Sequence, residues 1–122
     1  MQWNSSFLQD EQIVVIKTFG DADEKSSMEM AKSISQTMME YKSTRCLIDH
    51  SALLSVSGTS VDIYYRPQGI SNTGIPSGVK IAELVKPAHK SHFGFLEYVC
   101  RNNGFDFRVF ESREPAIQWL TK

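Results

Sequence analysis

Asp49, His50 and Ser51 stand side by side, and together they are the residue types of a hydrolytic triad: an orienting acid, a base and a nucleophile. Their adjacency argues against that use. Neighbouring residues of a strand point to opposite faces, whereas a triad converges in space from separate parts of a chain. No Gly-x-Ser-x-Gly elbow occurs to present a serine at a sharp turn. Hydrolysis is therefore the weakest functional reading, and no catalytic residue is assigned. Asp49 is expected instead to accept backbone N–H bonds in the loop after its strand.

His89 and His92 are three apart, so on a helix two imidazoles share a face and could meet one metal ion. A third ligand would have to come from His50 or Glu97, and the spacing does not demand it. A solvated helix start explains the pair without a metal, and no metal or other cofactor is expected. Gly69, Gly74 and Gly78 make no phosphate-binding loop, since no Gly-Lys-Ser/Thr follows and Gly-x-Gly-x-x-Gly is absent.

Two groups point to recognition rather than chemistry. Ser55, Ser57 and Thr59 precede a helix. A phosphate there would sit where free N–H groups and the helix dipole stabilise anions. It would add a charge of about −1.5 to −2 and could switch a protein interface. The same residue types also serve as simple helix caps. Tyr64, Tyr65, Phe93 and Phe95, with Tyr98, form an aromatic group on two middle helices. If those helices stand apart, their inner faces could line an apolar pocket closed by the 69–78 loop; the rings could equally fill the core.

The totals limit the partners. At 122 residues the chain supports one domain, 1–122, with one core. A net charge of −1, with Lys80, Lys86 and Lys90 dispersed, gives no reason to expect nucleic acid or an anionic membrane. Cys46 and Cys100 fall at core-like positions and read as reduced thiols. No secretory pattern opens the sequence, and no apolar run approaches the roughly 20 residues of a spanning helix. A cytoplasmic location is the expectation.

These side chains must be positioned by elements that the pattern outlines. Residues 3–9 and the β-branched run 13–19 read as a hairpin that ends at Gly20-Asp21. Residues 23–41 read as a long helix, with Ala31, Ile34, Met38 and Tyr41 as its stripe. Met28, Met30, Met38 and Met39 give that helix more apolar surface than one stripe needs; core packing explains it most simply, and a partner or a second subunit in a homodimer is the alternative. Residues 45–49 suit a strand buried on both faces. Thr59 and Asp62 resemble a capping box for a helix that Pro67 and Gly69 limit or kink. A strand at 79–85, a helix at 91–103 stopped by Gly104, a strand at 105–110 and a helix capped by Ser112 complete the chain. Trp119 should cover the sheet edge. The order β-β-α-β-α-β-α-β-α implies an α/β fold: a five-stranded, mostly parallel mixed sheet with about four helices.

That order resembles the STAS domain of the sporulation anti-sigma-factor antagonists. More closely it resembles the uncharacterised bacterial SpoIIAA-like branch, which is also likened to the CRAL-TRIO lipid-binding fold. The residues that carry the likeness are Leu47-Ile48-Asp49, Ser60-Val61-Asp62-Ile63-Tyr64, Lys80-Ile81-Ala82-Glu83-Leu84-Val85, Phe95-Leu96-Glu97, Asn103-Gly104, Arg108-Val109-Phe110 and Ala116-Ile117-Gln118-Trp119-Leu120. They are core and turn residues spread over nearly the whole chain. The antagonists carry a phosphorylated serine after the third strand, in a sequence like Asp-Ser-Ser-Gly. Here the stretch is Ser55-Val56-Ser57-Gly58-Thr59, and Val56 stands near the place of the aspartate. The resemblance implies a non-enzymatic regulatory module that docks a protein partner; the loop from His50 to Thr59 and the helix after it are the expected contact surface, with Asp49 beside it. The alternative it implies is a carrier or sensor of a small apolar, lipid-like ligand.

Overall fold

Ile13-Val14-Val15-Ile16 is apolar at every position, and such a run is stable only where a strand is covered on both faces. In the structure, a computed structural model that describes residues 1–122, all four side chains are buried. The elements run β1 (Gln2–Leu8), β2 (Ile13–Ala22), α1 (Glu24–Tyr41), β3 (Arg45–Asp49), β4 (Leu53–Val56), α2 (Ser60–Ser71), β5 (Lys80–Leu84), a 3-10 turn (Pro87–His89), α3 (Lys90–Asn102), β6 (Asp106–Phe110) and α4 (Arg113–Leu120). The sheet order is β1-β2-β3-β5-β6. Only β1 is antiparallel to its neighbour.

The sheet has six strands, not the expected five. The expectation ended the second strand at Gly20-Asp21 and left residues 53–56 in a loop. Instead β2 continues to Ala22, beyond the reach of β3, and its overhanging backbone pairs in parallel with β4. The register shifts between Gly20 and Asp21, where Gly20 takes φ +84°. A residue without Cβ enters that conformation at little cost.

Strand alternation then assigns the two faces. Val14, Ile16, Cys46, Ile48, Ile81 and Phe107 point to one side, where α1, α2 and α3 cover them. Ile13, Val15, Leu47, Ala82 and Leu84 point to the other, where α4 supplies Ala116 and Leu120. At the edge strand Trp119 leans on Phe110 with ring centroids 5.9 Å apart, as its expected covering role requires. Lys80 lies 4.5 Å from the Trp119 ring and donates to its carbonyl at 2.8 Å.

The helix signals act as their residue types dictate. Thr59 Oγ1 accepts from the Asp62 N–H at 3.1 Å, and Asp62 Oδ2 accepts from the Thr59 N–H at 3.0 Å. These bonds hold the Asp62 carboxyl below the usual aspartate range. Asp23 and Ser26 form the corresponding box on α1. Pro67 lies inside α2 without ending it, and the helix continues to Ser71. Gly104, at φ +86°, follows α3 as expected.

Leu120 is the fully buried anchor of an eight-residue helix that alone covers its face. Leu120→Ala should cost about 2–5 kcal/mol. Urea unfolding should show a lower midpoint with an unchanged slope.

Candidate functional site

Three polar side chains interrupt the helical face of the sheet. Thr18 continues the parity of Val14 and Ile16, His50 that of Cys46 and Ile48, and Glu83 that of Ile81. In the order β2-β3-β5 they stand side by side at the carboxyl ends of parallel strands, where open α/β sheets hold their ligands. Sequence reasoning placed Thr18 and Glu83 inside strands without giving them a role. The available signal was their polar type at apolar parity.

They form a chain of short bonds. His50 Nδ1 lies 2.8 Å from Thr18 Oγ1, and His50 Nε2 lies 2.7 Å from Glu83 Oε2. Thr18 Oγ1 also lies 3.2 Å from the Asp49 carbonyl. Thr18 has one hydroxyl proton to give. If it goes to that carbonyl, His50 Nδ1–H donates to Oγ1. If it goes to Nδ1, the ring is neutral and donates through Nε2 alone. Phe93 of α3 stacks on the imidazole, centroids 4.6 Å apart and planes 15° from parallel. The expectation of His50 in an exposed contact loop is therefore corrected: it is 2% exposed, because its strand parity turns it inward to Glu83.

Above this chain lies a cavity of about 60 Å³ between the sheet and the three helices. Its walls are mostly apolar and include Met30, Ile34, Ile48, Ile81, Phe93 and Leu96. Its polar lining is Ser27, His50, Arg66, Glu83 and His92. Arg66 sits on the buried stripe of α2, between Ile63 and Ile70, and went unnoticed in the sequence although the i, i+3, i+4 spacing marks it. Burial first, then the Arg66 charge, holds the His92 imidazole below its ordinary value.

The remaining expected residues divide clearly. Phe93 lines the cavity, while Phe95 packs against the core without reaching it. Tyr64 and Tyr65 are corrected as pocket residues: they are 62% and 64% exposed, because α2 buries Ile63, Arg66, Pro67 and Ile70 instead. His92 lines the cavity and His89 does not. Glu97 is engaged elsewhere, accepting from the Val109 N–H at 2.6 Å. Asp49 accepts from the Ser51 N–H at 2.9 Å, as expected. Ser55, Ser57 and Thr59 are all exposed. Ser55 donates to Asp21 Oδ1 at 2.6 Å and Ser57 to the Ala22 carbonyl at 3.1 Å, while Thr59 caps α2. Cys46 and Cys100 are free and buried. Burial, reinforced by the Glu83 charge, pushes both thiols up, Cys100 to about 12.

No family model matches the chain, and no curated protein does. Among solved structures it is similar to the anti-sigma factor antagonist SpoIIAA in its unphosphorylated form, with a TM-score of 0.54 at 16% identity over 93% of this chain and 92% of that one. It is also similar to an uncharacterised DUF3478-family protein from Shewanella loihica PV-4 with a SpoIIAA-like fold, with a TM-score of 0.55 at 17% identity over 98% and 92%. The chain has the SpoIIAA-like, STAS-type fold that its element order resembles.

Thr18→Val keeps the volume but removes a bond to His50 Nδ1, and should cost about 1–3 kcal/mol in denaturant unfolding. Both thiols should stay silent toward a disulfide reagent at pH 8 and react once the chain is unfolded; rapid native labelling would contradict their burial.

Proposed function

We propose that the chain is a non-enzymatic regulatory module that docks a partner protein on the surface built by β4 and the start of α2. One observation carries this reading. Seven large apolar side chains remain exposed, and four of them, Leu54, Val61, Tyr64 and Tyr65, come from this one stretch. Apolar groups gathered in water mark an interaction surface, and tyrosine is among the residues that dominate such contacts. The similar protein SpoIIAA is named an anti-sigma factor antagonist, which is a protein-directed role.

The hydroxyls beside this surface suit a switch. A phosphate on Ser55 would meet the Asp21 carboxylate, and one on Thr59 would break the α2 cap. Ser57 is free of both conflicts and lies just before the helix start. What supports a role without catalysis is that both His50 ring nitrogens are engaged, by Thr18 and Glu83, with Phe93 stacked on the ring.

A second reading rests on the cavity: the chain holds a small ligand between the sheet and α1, α2 and α3. A volume of about 60 Å³ suits a short apolar body. A lipid chain would require the helices to part.

A partner identified by cross-linking and then purified should bind at least about tenfold more weakly to the Tyr64→Asp/Tyr65→Asp chain, and binding should respond to Ser57→Asp. Melting temperatures should barely move, since all three residues are exposed. Dimerisation broken by the same substitutions would make the partner a second copy; unchanged affinity would remove the surface from the reading.

A further inference from the structure

The cavity carries two unsatisfied groups of opposite character. Arg66 is 8% exposed and lines it, yet its guanidinium makes no hydrogen bond and no ion pair within 4.0 Å. Its nitrogens are not among the buried atoms without a partner, so water reaches them, and a hydrated guanidinium at a cavity is open to exchange that water for an anion. The planar fork of five N–H donors matches a carboxylate in two places at once. Neither nearby carboxylate fills that role. Asp62, one turn earlier on α2, is engaged by the Thr59 N–H, and Glu83 gives Oε2 to His50. The other Glu83 oxygen, Oε1, is buried with no donor at all.

A donor fork on α2 and a buried acceptor on β5, facing one cavity and too far apart to join each other, suit a molecule that accepts at one end and donates at the other. Water could bond to either but would leave the Arg66 charge uncompensated. By comparison with the roughly 150 Å³ apolar cavity that takes the six carbons of a benzene, about 60 Å³ encloses about two or three non-hydrogen atoms, so it takes the inner end of a small ligand whose other end lies where water reaches Arg66.

We propose that the cavity binds a short carboxylate carrying its own hydrogen-bond donor, a small 2-hydroxy or 2-amino acid. Its carboxylate lies in the Arg66 fork, its hydroxyl or ammonium bonds Glu83 Oε1, and its methyl or methylene groups meet Ile48, Ile81 and Phe93. This rests on the reading of the cavity as a ligand site and adds the ligand's chemistry.

The test compares lactate, alanine, propionate and 1,2-propanediol on the full chain, by thermal melting and by amide NMR shifts. Lactate or alanine should raise the melting temperature in proportion to the logarithm of its concentration, propionate less, and the diol not at all. Signals of α2, β5 and α3 should move together. Arg66→Gln should weaken binding more than about tenfold. If Arg66→Gln does not fold, the wild-type NMR comparison of acid with diol still decides. A diol as effective as the acids would overturn charge recognition and leave the cavity a ligand site. Silence from all four compounds would overturn both readings. An Arg66→Gln chain that binds lactate undiminished would overturn the role of Arg66.

Discussion

The bond between His50 and Glu83 is the constraint around which the helical face of this sheet is arranged. It lies where β3 and β5 leave the sheet, under three helices, with side-chain exposures of only 3% and 4%. In such surroundings a lone imidazole or carboxylate would lose its hydration without compensation. Each therefore needs the other, and Thr18 and Phe93 supply the remaining side of the ring. Strand order and register follow the same need. A slip of β3 by one residue would turn His50 to the opposite face, where α4 offers only Ala116 and Leu120 as buried side chains.

Much of the fold was legible because local rules and the tertiary solution agree. The two-sided apolar run in β3, the Thr59–Asp62 box and Gly104 after α3 each carry a local physical signal that packing did not need to override. The strand β4 had no such signal. Of its four residues only Leu53 is buried, and its pairing depends on how far β2 extends beyond β3. That overhang is a tertiary fact.

The site was legible in type and illegible in assembly. Thr18 and Glu83 could be recognised as polar residues on apolar parities. Their meeting with His50 required the lateral order β2-β3-β5, in which β5 takes the place beside β3 that the next strand in sequence, β4, does not. Tyr64 and Tyr65 misled for the opposite reason. Aromatic rings suggest burial, but burial on a helix is set by angular position. The spacing of Ile63, Arg66, Pro67 and Ile70 had already claimed the inner side of α2, and adjacent positions are turned away from it.

The polar groups of α2 and β5 therefore serve different ends from the apolar groups exposed nearby. Tyr64 and Tyr65 face outward on the same helix that carries Arg66 inward. The helix is held at its start by the Thr59–Asp62 box and along its length by contacts with α3 and α1. Its inner face carries Arg66, which no carboxylate pairs within 4.0 Å. A helix whose inner-face charge no carboxylate pairs has a physical reason to answer to whatever enters the cavity beneath it. The two readings of function, a docking surface and a ligand cavity, thus meet on opposite sides of a single helix.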